Sequence, residues 1–430
     1  MTVQSELARP APEIPRSSRV AYAVGVAQFF AWYAARASSE LQYRGEVGNP
    51  GYDAEPLADD GRSARDALRG STAPAFAPAP QRTSARVTDH GRLSTSSDAY
   101  DAVEPADLHA LRAAVAWANE HRVPVRIRGN GHSMNGASVP RANELYVSTK
   151  ACRHYRFEEE ETITVGSGAA IWDVRATVEA HGFELLVYND GNAAASTVGG
   201  FLSAGGFGVG SARHGGFWET VKEVTMVTGD GRIRRFSRCH EEFQWLFGSM
   251  GQLGIAFEVK LRIRSNPRLP PRPYPMGKEG VVAESPTDDT RINWYTLFVP
   301  EADWIDAGKR IIAIGAKHRR AWRPRWPYVY SIVFRRFNPP LIHPAQESLK
   351  AVGIWGKPHA KGFDLEAMRA IEQEVTELAL SNPRYRRYIQ AELLPKDFDY
   401  RRYFGDAIYQ RFMDVKKSLD PKGLMVPGVL

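Results

Sequence analysis

At 430 residues the chain exceeds one ordinary core, so two domains with an appended arm are expected. Two cysteines, Cys152 and Cys239, stand far apart in no CxxC pattern, which excludes a disulfide framework and a cysteine-based metal site. The net charge of +7 is spread along the chain without a repeated basic module, so no nucleic-acid partner is expected.

Near the N-terminus, Arg16 and Arg19 precede the apolar run "VAYAVGVAQFFAWYAA". The order of basic, apolar and small residues resembles a secretory leader, and residues 1–37 would then direct export. Gln28 interrupts the run, which is too short for a membrane span. The plainer expectation is a helix that packs on the body or frays, in a cytoplasmic protein. Residues 47–90 are rich in Gly, Pro, Ala, Asp and Ser and read as a linker or surface arm, so residues 1–89 form the N-terminal arm.

Regular structure is expected after Asp89. Leu108, Leu111, Val115 and Trp117 recur at helical spacing, followed by the strand "PVRIRG". "ELYVST", "TITVGSGA" and "ELLVYND" read as strands, with the helix "AIWDVRATVEAHG" among them. "VKEVTMVTGDGRIRRFS" reads as a hairpin closed at "TGDGR", and "IAFEVKLRIRSN" as a strong strand. The Pro-rich "PRLPPRPYP" then marks a boundary near residue 267. Beyond it, "NWYTLFV" and "YVYSIVF" read as strands, and "LEAMRAIEQEVTELAL" and "RRYFGDAIYQRFMDVKKSL" as helices, giving a second α+β unit. The run "RRAWRPRWPYVYSIVFRRF" is expected to be a strand with aromatics inward and arginines outward.

Two Gly-rich segments carry the chemistry: "RIRGNGHSMNGAS" at 126–138 and "GNAAASTVGGFLSAGGFGVGSARHGG" at 191–216. Close-set glycines let backbone amides approach a ligand without Cβ clashes, and successive N–H groups can cradle a pyrophosphate. Neither segment has the spacing of a dinucleotide-binding βα turn or of a Walker loop. Two such loops flanked by strands imply one large extended ligand held between them.

These two segments, with "VKEVTMVTGDGRI", "LFGSMGQLGIAFEVKLRI" and the terminal "YFGDAIYQRFMDVKKSLDPKGLMVPG", resemble the FAD-binding flavoproteins of the vanillyl-alcohol oxidase/p-cresol methylhydroxylase superfamily. Within it the likeness is greatest to cytokinin dehydrogenases. The resemblance covers roughly residues 90–266 and 403–428. It implies an α+β fold, with a two-part FAD-binding domain of the PCMH type at 90–266 and 403–430. An inserted α+β substrate domain lies at 267–402.

By the same resemblance FAD is the cofactor, bonded covalently to the ring of His132, and no metal is involved. Gly129, Asn130, Gly131 and Ser133 would hug the pyrophosphate or flavin through backbone amides. Thr197, Gly200, Ser203 and Phe207 would line the opposite wall, and Ile255 would touch the adenosine end. A second link, which some relatives make through cysteine, is ruled out by Ala194, Ala195 and Ser196. Arg213 and His214 match the family's "RHG" and would position the loop beneath the flavin ring. The family's terminal "PGQ" is "PGV" here, with Val429 in place of a glutamine.

Cytokinin dehydrogenases use an aspartate shortly before "TVGG" as catalytic base. An ungapped count lands on Asn192, which cannot accept a proton, so Asp190 two residues earlier is the candidate; an aspartate in "YNDGN" is equally a turn residue. The implied reaction moves hydride from a C–H beside an amine or hydroxyl of a small molecule to flavin N5, with oxygen or another acceptor regenerating the cofactor. A sugar or polyol oxidase and a natural-product tailoring oxidase are the alternatives on the same scaffold. A non-catalytic basic ligand-binding protein is the distant one.

Overall fold

The computed structural model describes residues 14–39, 80–92, 94–96, 99–134, 136–159, 161–189, 196–266, 293–319, 324–356, 365–388 and 398–428. Most of the linker, the Pro-rich boundary, Asp190, Asn192, Ala194, Ala195 and Val429 lie outside them. Three sheets organise the rest.

The first sheet has the order β1 (Gln81–Thr83), β2 (Tyr100–Val103), β4 (Leu145–Ser148), β3 (Val125–Arg128). β1 is antiparallel to β2, and β2, β4 and β3 run parallel. A parallel pair needs a crossover, supplied by α2 (Leu108–His121) between β2 and β3. Asp107 caps that helix by accepting a hydrogen bond from the Ala110 amide at 2.8 Å, and Arg122 ends it in the left-handed region at φ 55°. Its face of Leu108, Leu111, Ala114, Val115 and Ala118 is buried against Val125, Leu145 and Val147. The first sheet therefore starts at Gln81, within the stretch that reads as linker, because residues 81–83 form its edge strand.

The second sheet is antiparallel, in the order β5 (Tyr155–Glu158), β6 (Thr162–Gly166), β10 (Gly254–Ser265), β8 (Val221–Thr228), β9 (Ile233–Ser237). The short β7 (Phe183–Leu185) pairs with the far end of β10. The expected hairpin is β8–β9, with Gly231 at φ 78° in its turn. "ELLVYND" yields only two of these strand residues, Glu184 and Leu185, plus a single bridge from Tyr188 to Val209. α3 (Ile171–Ala180) packs on β7. α4 (Val198–Ala204) and α5 (Ser211–His214) lie within the second Gly-rich segment.

The third sheet, β12 (Pro324–Ile332), β13 (Leu349–Gly356), β11 (Asn293–Pro300), β14 (Arg386–Tyr388), is antiparallel throughout. α6 (Trp304–Lys317) and α7 (Leu365–Leu380) pack with it. So does α1 (Arg19–Ser39), which lies on β12 and α6. Phe29 of α1 is fully buried, its ring 5.5 Å from that of Trp304. One continuous core runs through the second and third sheets, and a smaller one lies between the first and second. Arg320, Arg323 and Arg325 lie outside the described side chains, so the outward face predicted for them is untouched. Arg335 and Arg336 follow β12 and are exposed.

The predicted helix over 401–419 is two helices, α8 (Tyr400–Phe404) and α9 (Asp406–Leu419). Gly405 separates them at φ 84°, ψ 149°, a conformation that only glycine adopts without strain. After α9 the chain returns to the first sheet. Val125 N–H donates to the Leu424 carbonyl at 2.8 Å, Val426 N–H to that of Val125 at 2.9 Å, and Met425 is buried in the smaller core. No helix among the described residues is long and apolar enough to cross a membrane.

Candidate cofactor site

The first Gly-rich loop leaves the end of β3 and is braced from three directions. Arg126 on β3 is wholly buried and holds Glu144 through two hydrogen bonds of 2.9 and 2.6 Å. It also donates to the carbonyls of Ala137 at 3.4 Å and Pro427 at 3.2 Å, tying the loop's far end to the C-terminal tail. Asp89, itself buried, accepts from the Gly136 amide at 3.1 Å, and the His90 amide donates to the Ser133 carbonyl at 3.0 Å. The His90 ring stacks on that of His132, with centroids 3.9 Å apart and planes 21° from parallel. The imidazole is thus held flat at a half-buried position.

The second loop meets the first at one point. Thr197 begins α4, and its Oγ1 accepts from the Gly200 amide at 3.2 Å. A Cβ on Gly129 would stand 2.2 Å from that same Oγ1, so only a glycine lets the first loop come this close to the Thr197 side chain. Gly131 adopts φ 71°, and a side chain there would run into the guanidinium of Arg128. The Ser167 carbonyl accepts from the Gly199 amide at 2.8 Å. The Ser167 hydroxyl is buried and makes no hydrogen bond. A burial of this kind costs free energy unless a ligand completes it.

The remaining predicted residues fall around this junction. Asn130, His132 and Ser133 are half-buried on the first loop, and Gly200 is exposed at the start of α4. Ser133 Oγ lies 2.6 Å from Ser138 Oγ, and the Ser203 carbonyl accepts from the Met250 amide at 3.0 Å. Met250 also packs with Ala137 and Val426, so it touches both loops. Ile255 is on β10 in the core between the first and second sheets. Phe207 points instead at the third sheet, edge-on to Phe298 at 5.2 Å, Tyr330 at 5.5 Å and Tyr388 at 5.7 Å. Burial raises the Tyr388 hydroxyl far above the ordinary tyrosine range, so it stays protonated at any working pH. Asp190 lies outside the described residues. Among the described residues no group of His, Cys, Asp and Glu is set to hold a metal ion.

The donor set suits FAD: backbone amides of half-buried glycine-rich loops, a buried guanidinium and an unpartnered buried hydroxyl meet where two sheets join. Four contributors were missed in the sequence. Asp89 and His90 fall in a stretch that reads as linker, and Arg128 and Ser167 look like ordinary strand-end residues. Their roles come from contacts between sheets, which no local pattern encodes.

Comparison with known proteins bears on the same segment. Residues 101–237 match the FAD binding domain family. The chain is 23% identical to a D-lactate dehydrogenase of Archaeoglobus fulgidus over 176 residues, 39% of each chain. It is 27% identical to cytokinin dehydrogenase 5 of Arabidopsis thaliana over 193 residues, 42% of this chain and 35% of the relative. Against D-2-hydroxyglutarate dehydrogenase of Xanthomonas citri pv. viticola it is 28% identical over 174 residues, 38% of this chain and 36% of the relative. It thus spans less than two-fifths of the length of these curated relatives. The matched segment holds β2 to β9, including both Gly-rich loops. Residues 101–237 are thus similar to FAD-binding domains, the likeness expected from the two Gly-rich loops.

Proposed function

We propose that the protein is an FAD-dependent oxidoreductase that oxidises a C–H bond beside an amine or hydroxyl of a small molecule. The observation that carries this reading is the meeting of the two Gly-rich loops at Gly129 and Thr197 within the matched FAD-binding segment. When bound, FAD would accept hydride from the substrate, chemistry that no side chain can supply. The chain's own part is to bind, orient and exclude water. Amides of Gly129, Asn130, Gly131 and Ser133 would face the pyrophosphate or flavin. Thr197, Gly200 and Ser203 would form the other wall, and Ile255 would flank the adenosine end.

His132 is the proposed covalent anchor. A neutral imidazole is a competent nucleophile, and the stack against His90 restricts its ring to one orientation before attachment. Phe207, packed among Phe298, Tyr330 and Tyr388, would join the flavin wall to the third sheet. That sheet, within the proposed substrate domain of residues 267–402, would cover the substrate. The N-terminal arm would end near residue 89, and residues 403–430 would return to the cofactor domain. Asp190 is the proposed base, taking the proton from the amine or hydroxyl as hydride departs.

A second substrate class, 2-hydroxy acids, is favoured by the relatives named for D-lactate and D-2-hydroxyglutarate. Anaerobic mixing of the purified protein with a cytokinin, D-lactate, D-2-hydroxyglutarate and a sugar alcohol separates these readings. The substrate that bleaches the flavin's visible absorbance identifies the class. For that substrate Asp190→Ala should slow bleaching about 100-fold or more while leaving flavin content unchanged. A protein that never contains flavin contradicts the oxidoreductase reading altogether.

A further inference from the structure

A cavity of about 300 Å³ opens where α5, the start of β8, β10 and the run after β12 come together. Arg213, Arg262, Arg335 and Arg336 line it, with His214 and a single carboxylate, Glu219. Arg213 and His214 belong to the second Gly-rich segment, but none of the residues proposed to touch the pyrophosphate or adenosine lines it. Arg262 is seven positions along β10 from Ile255, about 23 Å at strand rise, so the cavity is remote from the proposed adenosine end.

The charge in this cavity is unbalanced. Glu219 is buried and already satisfied: Oε1 accepts from the amides of Arg336 at 2.7 Å and Phe337 at 3.1 Å, and Oε2 takes Arg238 at 3.1 Å. Arg238 stands outside the lining and neutralises it. Among the described residues the four lining arginines have no carboxylate partner. His214 cannot offset them either. Burial, with Arg264, Arg213 and Arg335 nearby, pushes its imidazolium down to about 4, so the ring is neutral at physiological pH.

The backbone that carries these arginines is fixed before any ligand arrives. The Arg262 amide donates to the Thr220 carbonyl at 2.8 Å, and the Arg336 amide is fixed by Glu219. Arg335 Nε donates to the Arg213 carbonyl at 3.1 Å, and the Val333 amide to that of Ser211 at 3.1 Å, which locks α5 to the run after β12. Four arginines from three separate stretches of chain thus line one small space, the Arg335 guanidinium lying against the Arg213 carbonyl. Planar forks so arranged match the paired oxygens of phosphates and carboxylates.

We propose that this cavity is a binding site for a small polyvalent oxyanion, a phosphate- or polycarboxylate-bearing molecule, gripped by Arg213, Arg262, Arg335 and Arg336. The site lies away from the proposed adenosine end, shares Arg213 and His214 with the second Gly-rich segment, and stands whether or not the redox reading holds.

Calorimetric titration of the purified full-length protein, at low chloride, with inorganic pyrophosphate and separately with citrate tests it. Saturable one-to-one binding is expected for at least one of them, weakened at least tenfold in Arg262→Gln/Arg336→Gln. The tighter probe assigns the class, phosphate or carboxylate. Absence of binding by both, or unchanged affinity in the variant, overturns the proposal; the latter would place the anion elsewhere, as at the Gly-rich loops. Should the variant fail to fold, the His214 ring resonance of the wild type decides. It must move on saturation with the bound probe and titrate at higher pH, and a stationary resonance overturns the assignment.

Discussion

Gly129 concentrates the argument about the cofactor into one residue. Its missing side chain is what lets β3's loop touch Thr197, and a methyl group alone would sit 2.2 Å from the threonine hydroxyl. Gly129→Val should therefore pry the loops apart and reduce bound flavin at least tenfold, the effect of a loss of about 1.4 kcal/mol in binding. Flavin content per protein, read by absorbance, checks this, and full loading of the variant would show that the junction is not where the cofactor lies. Glycines of this kind are legible in a sequence because a run of them has no other common purpose than turns and close approach. Asp89, His90 and Ser167 are not legible. A buried aspartate bonded to an amide 47 positions away, or a hydroxyl left without a partner, exists only once the sheets have assembled.

At the scale of elements, periodicity decided what could be read. α7 falls on the predicted stretch because its apolar residues repeat at helical spacing, burying Met368, Ile371, Val375 and Leu378. α6 carries an equally clear face in Ala307, Ile311, Ile312 and Ile314 but escapes notice between two aromatic strands. β7 and β14 are three residues each, too short for alternation to register. The continuous helix expected over 401–419 fails at Gly405, whose backbone angles turn the chain between α8 and α9. Gly405→Ala should cost about 1–3 kcal/mol, although nothing lies within 4 Å of the new Cβ, because the strain is in the backbone. Urea denaturation measures it. A variant as stable as the wild type would mean that α8 and α9 can merge into one helix.

At the scale of the whole molecule the N-terminus follows the plainer expectation for it: residues 19–39 form a helix laid on the third sheet. Phe29 is the anchor: a Cβ on Gly308 of α6 would stand 2.3 Å from its ring, so helix and helix meet without a gap. Phe29→Ala should cost about 3–5 kcal/mol, as for other buried phenylalanines. A loss below about 1 kcal/mol would place the helix among elements that fray from the body. The other end of the chain behaves similarly. Leu424–Val426 add to the edge of the first sheet, and Arg126 joins that tail to the loop of His132. The motif order in the sequence foreshadows this return, since the terminal "GLMVPG" belongs to the same resemblance as the Gly-rich loops.

The account turns on FAD held at these loops and bonded to His132. The most direct measurement is acid precipitation of the purified protein followed by trypsin digestion and mass spectrometry of the fragment 129–141, "GNGHSMNGASVPR". The account predicts that colour stays in the precipitate and that this fragment carries the added mass of the flavin. Flavin released to the supernatant, or found on another fragment, would contradict the anchor. Colourless protein would contradict the cofactor site as a whole.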